Sequence, residues 1–290
     1  MPSREETIKY HRERLNRVLV YIQENSEHSP SLETLADIAC FSPFHFHRLF
    51  AAYIGETLND YIRRIRLEHA ALRLCHSEES ITSIALSAGY ETPASFTKAF
   101  RLRFGKNPTE FKRDKKFSLA VKLFDLNTKE RGVKMMQLEI RSFPEQKVLF
   151  VRKTGRYDNT AGEAWAALMK FAYSHRLMKK DTKAIGISHD SPDITPEDKI
   201  RYDACITIDR DVKPEGEVGI QIISEGRYAV FLHKGTYNRL GETYNGIFYQ
   251  WLPASGEKLR DAPCFEIYLN RDPRRTKPEN LRTEICVPIE

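Results

Sequence analysis

Two short stretches of the chain place aromatic and basic side chains at helical spacing. In SPFHFHRLFAAYIG (42–55), Phe46, Leu49, Phe50 and Tyr53 recur at i, i+3, i+4 and i+7 and form one apolar stripe. The opposite stripe carries Phe44, His47, Arg48 and Ala51, with His45 beside it. On a helix lying in a DNA major groove, an arginine pairs bidentately with guanine, an imidazole donates to a base edge or a phosphate, and a phenyl ring rests on a thymine methyl. In TPASFTKAFRLRFG (92–105) the matching outward positions are Ala94, Thr97, Lys98 and Arg101, flanked by Ser95. Thr97, Lys98 and Arg101 suit phosphate anchoring better than base discrimination. Residues 98–116 then add Arg103, Lys106, Lys112, Arg113, Lys115 and Lys116 against only Glu110 and Asp114. Such a run is also what a solvated face looks like. Next to a basic helix it can neutralise phosphates.

A second set of candidates lies in the C-terminal half. Tyr157, Trp165, Tyr202, Tyr237, Phe248, Trp251 and Tyr268 are aromatic residues of the kind that line a ligand site, and they read equally well as core. Glu266 differs, because it sits in an apolar strand context, CFEIYLN, where a buried carboxylate is costly unless paired. It is either a strand carboxylate facing solvent or the counter-charge for a cationic aromatic ligand, helped by cation–π contacts. No nucleophile–base pair or Gly-rich phosphate loop stands out, so no catalytic residue and no cofactor is expected. His45 and His47 point about 200° apart on a helix and cannot share an ion, and no metal is expected.

These residues must be positioned by elements, and two internal repeats show which. At an offset of 50, Pro43, Phe46, Arg48, Phe50 and Gly55 match Pro93, Phe96, Lys98, Phe100 and Gly105. Upstream the offset is 49: Leu35, Ala36, Ala39 and Phe41 match Ile84, Ala85, Ala88 and Tyr90, which implies one extra residue in the second turn. Each copy reads as helix, turn, helix. Ser31 and Ser80 cap the first helices, Ser42 and Thr92 the second. Pro43 and Pro93 fit the first helical position, and Gly55 and Gly105 fit the helix ends. Between the copies, 57–77 has helical spacing without a breaker. About 19 residues of helix span roughly 28 Å, close to the ~34 Å repeat of a DNA turn.

Beyond a short helix at 107–112 and an uncertain stretch around 117–135, β-branched and aromatic runs alternate with turns, as in an α+β domain. There FVRKTGRYDNTAGEAW (150–165) resembles FLHKGTYNRLGETY (231–244): Gly155 and Tyr157 match Gly235 and Tyr237, and Trp165 matches Tyr244. An aromatic–acid pair follows in each half, Tyr202-Asp203 and Phe265-Glu266. The expectation is two pseudo-symmetric βαββ halves with a cleft between them.

The remaining bounds are broad. The 290 residues suit two domains, and the formal charge of +6 leans towards an acidic partner. The charged N-terminus has no secretory h-region, and no apolar run reaches the ~18–20 residues of a membrane helix. The five scattered cysteines lack a CxxC pair and suit a reducing cytoplasm.

The segment from Ile8 to Lys112 resembles the DNA-binding domain of AraC/XylS-family transcription regulators, most closely in IALSAGYETPASFTKAFRLRFGKNPTEFK. The resemblance implies that the first recognition helix does most of the base reading. Relatives of the multidrug and stress-response type carry an indole-sized residue and glutamine on that helix, where this chain has Phe44 and His47. Residues 136–290 resemble the GyrI-like effector domain of Rob-type and multidrug-sensing regulators, through YDACITI, GRYAVFLHKGTYNRLGETYNGIFYQWLPASG, FEIYLN and ICVPI. That likeness implies two tandem SHS2-type halves and a ligand cleft, with the acidic drug-contacting position falling on Glu266.

The expected architecture is therefore an all-α double helix-turn-helix domain (1–116), a linker (117–135) and an α+β effector-binding domain (136–290). The expected function is that of a cytoplasmic transcription regulator, most simply an activator. It would bind double-stranded DNA in two successive major grooves, contact RNA polymerase and respond to a small-molecule effector, with no membrane partner. Because some stand-alone GyrI-like relatives hydrolyse small molecules, a fused hydrolase stays open. So does a C-terminal domain that binds a protein.

Overall fold

The computed structural model describes residues 4–25, 30–114, 137–192, 194–260 and 262–290. The linker expected at 117–135 and the basic side chains Lys115 and Lys116 lie outside these residues. The chain divides into two compact units, Met1–Arg113 with Val212–Gln221, and Asp114–Asp211 with Ile222–Glu290.

The helical unit contains α1 (Arg4–Glu24), α2 (Leu32–Ile38), α3 (Pro43–Ile54), α4 (Leu58–His76), α5 (Ile81–Ser87), α6 (Pro93–Phe104) and a short α7 at 108–114. The caps form as their residue types require. The hydroxyls of Ser31, Ser42, Ser80 and Thr92 accept from the backbone N–H three residues on, at 3.1, 3.4, 3.1 and 3.1 Å. Gly55 and Gly105 end α3 and α6 in the left-handed region. The α2–α3 turn runs Ala39-Cys40-Phe41, the α5–α6 turn Ala88-Gly89-Tyr90-Glu91, so the second is longer by one residue. Cys40 adopts φ +53, where the second copy has Gly89 at φ +79.

Each copy has its own core. Phe46 and Phe50 of α3 are buried with Leu35, Ala36 and Ala39 of α2 and with Leu58, Tyr61 and Ile65 of α4. To this core α1, which the sequence reading did not identify, adds Leu15, Val18, Leu19 and Ile22. In the second copy Phe96 and Phe100 are buried, and Phe100 packs on Phe111 of α7 with ring centroids 5.2 Å apart. The helix α4 packs against α3, α5 and α6 and so holds the two copies together.

The α+β part of the chain comprises β1 (Leu138–Phe143), β2 (Gln146–Thr154), α8 (Tyr157–Ser174), β3 (Ala184–Ser188), β4 (Arg201–Thr207), β5 (Val218–Ile223) and β6 (Gly226–Lys234), followed by α9 (Leu240–Gly246). From α9 the chain passes through a π-helical turn (Ile247–Trp251) into α10 (Leu252–Ser255), then β7 (Cys264–Tyr268) and β8 (Arg282–Ile289). The sheet order is β1-β6-β8-β7-β3-β4-β2-β5, and every pairing with a described register is antiparallel.

The element order strand–helix–strand–strand occurs twice. β1 does not pair with the β2 that follows it but crosses to β6, since hydrophobic alternation fixes a strand's face but not its partner. One expectation is corrected: Tyr202-Asp203 and Phe265-Glu266 are not equivalent pairs. In element order β7 corresponds to β3, the first strand after its helix, whereas Tyr202-Asp203 lies on β4. Among the described residues no helix is long and apolar enough to cross a membrane.

Candidate functional site

Burial of Phe46 and Phe50 turns the other side of α3 outward. His45, His47 and Arg48 are exposed there, and the Phe44 side chain lies outside the described set. The His47 Nδ1 lies 3.2 Å from the Pro43 carbonyl, which only accepts, so Nδ1 carries the proton and the ring is held against its own helix. On α6, Ala94, Ser95, Lys98 and Arg101 are exposed and Thr97 is half-buried. The Thr97 hydroxyl donates to the Pro93 carbonyl at 2.7 Å and the Ser95 hydroxyl to the Thr92 carbonyl at 2.8 Å. Both hydroxyls spend their proton inside the helix, which leaves Lys98 and Arg101 as the donors of that face among the side chains named above.

The second cluster centres on Glu266, only 3% exposed, which rules out the solvent-facing alternative. It lies in the middle of the sheet: Gly186 of β3 pairs with it on one side and Ile285 of β8 on the other. Side chains alternate faces along a strand, so Glu266 shares its face with Tyr268, Gly186, Ser188 and Tyr202. The helices lie over this face, since Trp165 of α8 reaches Tyr202 and Tyr244 of α9 reaches Glu266.

Hydroxyl groups converge on the carboxylate. Tyr244 donates to Oε1 at 3.0 Å, Tyr268 to Oε2 at 2.5 Å, and Ser188 approaches Oε1 at 3.5 Å. Behind Tyr268 the donors form a directed chain. The Trp165 indole N–H can only donate, and it reaches the Tyr202 oxygen at 3.0 Å. Tyr268 has given its proton to Glu266, so Tyr202 donates to the Tyr268 oxygen at 2.9 Å. Rings complete the surround: Tyr157 stands edge-on to Tyr202 at 6.0 Å, and Trp165 and Tyr237 stand edge-on to Tyr268 at 5.6 and 5.3 Å. Tyr157 is fixed by its own hydroxyl, which donates to the Asp190 carbonyl at 2.6 Å.

Burial raises the Glu266 carboxyl above its ordinary range, against the opposing pull of Tyr268, Tyr244 and Ser188. Burial also raises the phenols of Tyr202, Tyr244 and Tyr268, with the Glu266 charge acting in the same direction, so they remain protonated donors. Among the described residues no cluster of His, Cys, Asp and Glu has the makings of a metal site. The arrangement is a buried carboxyl group set among aromatic rings and hydroxyl donors.

Of the expected ligand residues, Tyr157, Trp165, Tyr202, Tyr237, Glu266 and Tyr268 come together. Phe248 and Trp251 do not. Phe248 stacks behind Tyr244 at 6.3 Å, Trp251 stands edge-on to Phe231 at 4.9 Å, and both pack against the core of Ala229, Phe231, Ile247, Ile285 and Val287. Sequence reasoning missed Tyr244, Ser188 and Gly186. For Tyr244 a signal was present: in the internal repeat it occupies the position of Trp165, and both reach the cluster. Asp203, expected to parallel Glu266, points to the opposite face. There Arg152 grips it twice at 2.7 Å, and His189 Nε2 lies 2.7 Å away.

Comparison with known proteins gives two family matches. The model of the GyrI-like small molecule binding domain matches residues 136–290, and a helix-turn-helix domain model matches residues 35–114. The "Probable transcriptional regulator YgiV" of Escherichia coli (strain K12) is 34% identical over 110 residues, which are 37% of this chain and 68% of that protein. A "DNA gyrase inhibitor" of Erwinia billingiae is 29% identical over 138 residues, 47% of this chain and 87% of that protein. Among solved structures, the EcmrR–DNA complex determined by cryo-EM aligns with a TM-score of 0.49 at 16% identity, covering 90% of this chain and 99% of that one.

Proposed function

The chain belongs to the family defined by the GyrI-like small molecule binding domain, here joined to an AraC-type helix-turn-helix domain, and from that premise we propose that it is a DNA-binding transcription regulator governed by an organic cation held at Glu266. The observation that carries the ligand reading is the buried Glu266 carboxylate, ringed by hydroxyl donors and aromatic edges. The hydroxyl donors offset only part of the cost of a charge buried there, since burial still raises the carboxyl. A cation with aromatic or alkyl bulk would neutralise it and be held by cation–π contact as well.

On the DNA side, α3 carries base readout through His47 and Arg48, with Phe44 and His45 beside them. The helix α6 anchors the backbone through Lys98 and Arg101, with Ala94, Ser95 and Thr97 at its surface. The 19-residue α4 sets the two helices about one DNA turn apart. We read the second unit as two related SHS2-type βαββ halves. In that reading Gly186 stands where the first half would repeat Glu266. Two carboxylates there would face each other across paired strands, which is destabilising, so one half carries the charge and the other a glycine. The regulator acts as an activator through RNA polymerase, and the ligand works by its differential affinity for two states of the chain.

Thermal denaturation with a panel of organic cations tests the ligand reading. Stabilisation is expected for wild type and is lost in Glu266→Gln. Affinity should rise with pH through the elevated range of the Glu266 carboxyl and then level off, because only the ionised form attracts a cation. No stabilisation by any cation would overturn the reading. Turnover of a reactive small molecule, abolished by Glu266→Gln, would point to a hydrolase instead.

A further inference from the structure

Thr283 of β8 is 0% exposed, and its Oγ1 has no hydrogen-bond partner among the described residues. It pairs in register with Tyr268 on one side and His233 on the other, so it lies on the face that carries Glu266. Neither neighbour can serve it. The Tyr268 hydroxyl is turned the other way, towards β3, donating to Glu266 and accepting from Tyr202. Both nitrogens of His233 are engaged: Nε2 donates to the Thr236 carbonyl at 3.1 Å, and Nδ1 accepts from the Thr243 hydroxyl at 2.7 Å.

Leaving a buried hydroxyl unpaired is costly, and such a group calls for an explanation. The sheet register supplies one. Thr283 pairs with Tyr268 on β7 as Tyr202 pairs with Ser188 on β3. Thr283 therefore occupies in the second half the place that Tyr202 occupies in the first. On Tyr202's side a phenol fills the space and its oxygen is capped by Trp165. Thr283 is short and carries no such phenol, and Tyr244, in the place of Trp165, bonds Glu266 instead.

We propose that Thr283 is a second polar subsite of the Glu266 site, taking a hydrogen-bond donor carried by the organic cation. The ligand class narrows accordingly, to aromatic cations bearing an amino or hydroxyl group on the side away from Gly186. This rests on the cation reading of Glu266, and the test separates the two.

Two probes are titrated into the full-length protein: tetraphenylphosphonium, a cation without hydrogen-bonding groups, and ethidium, an aromatic cation with two amino groups. Thr283→Val keeps the side-chain shape and removes the hydroxyl. It should weaken ethidium about tenfold, the worth of one hydrogen bond at the upper end of the neutral range, and leave tetraphenylphosphonium unchanged. The melting temperature of the ligand-free protein should hold or rise, because the hydroxyl removed had no partner. Equal loss for both probes, loss for neither, or a lower melting temperature without ligand would overturn the subsite. If Glu266→Gln leaves tetraphenylphosphonium binding intact, or if wild type takes up neither probe, the cation reading itself falls and the subsite falls with it.

Discussion

Gly186 faces Glu266 directly across β3 and β7. A methyl group there would stand 2.6 Å from the phenol oxygens of both Tyr202 and Tyr268 and 3.1 Å from a Glu266 oxygen. Its backbone is ordinary strand, so alanine is tolerated by the chain and not by the site. Gly186→Ala should leave the fold intact while pushing the Tyr268 hydroxyl off the carboxylate. Cation affinity should then fall about tenfold or more in a calorimetric titration. A residue of the same kind on the DNA side is Arg48, exposed on α3. Arg48→Ala is expected to lose about 1–3 kcal/mol on the selected operator and to relax specificity at one base pair. A binding assay across single-base variants reads this, and an unchanged preference would mean that α3 does not dock as proposed. Glu266 was legible in the sequence because an acid in an apolar strand stands out. Gly186 was not, because a glycine advertises no partner until the strands beside it are known.

At the scale of elements, the helix-turn-helix copies owe their legibility to short-range chemistry: cap, proline and terminal glycine act within a few residues of one another. The helix α1 was overlooked although Leu15, Val18, Leu19 and Ile22 stand at helical spacing, since the charged residues around them obscured the stripe. The crossing of β1 to β6 and the π turn at Ile247–Trp251 depend on tertiary pairing and on the proline at 253, which offers no N–H to the carbonyl of residue 249. The second copy is also tied to α4 by a buried charge cluster that no local pattern reveals. Glu68, 2% exposed, accepts from Arg64 at 3.1 Å and from Arg103 of α6 at 2.7 Å, and Arg64 also holds Glu56 at 2.7 Å. Removing one partner of such a cluster strands the others. Glu68→Ala should cost about 3–5 kcal/mol in a urea titration of the helical unit and loosen α6 against α4.

For the whole molecule, acid is the expected point of weakness. Burial pushes His189 down to about 4 against the pull of Asp203. Burial would by itself raise Asp190, but the Arg201 guanidinium, bonded to it at 2.7 and 2.9 Å, overrides this and holds it at about 2. Asp203 is likewise held far below its ordinary value, with Arg152 and His189 overcoming its burial. All three groups bind protons less readily folded than unfolded. Their stabilisation is therefore complete above about pH 6.5 and is lost as pH falls, first through His189 and then through the carboxylates. Chemical denaturation between pH 7 and pH 4 should show a loss of roughly 3 kcal/mol from His189 alone. His189→Gln, which keeps a donor for Asp203, should flatten that limb.

The donor chain behind Glu266 begins at an indole, and the protein has only two tryptophans, Trp165 and Trp251. The second is packed against Phe231, away from the carboxylate. In a Trp251→Phe background the remaining chromophore would be wired by two phenols to the buried charge. The colour and lifetime of its emission would then depend on whether Tyr268 is engaged or displaced. If Glu266 holds a cation as proposed, that indole is an optical gauge of its occupancy, read in real time without a label.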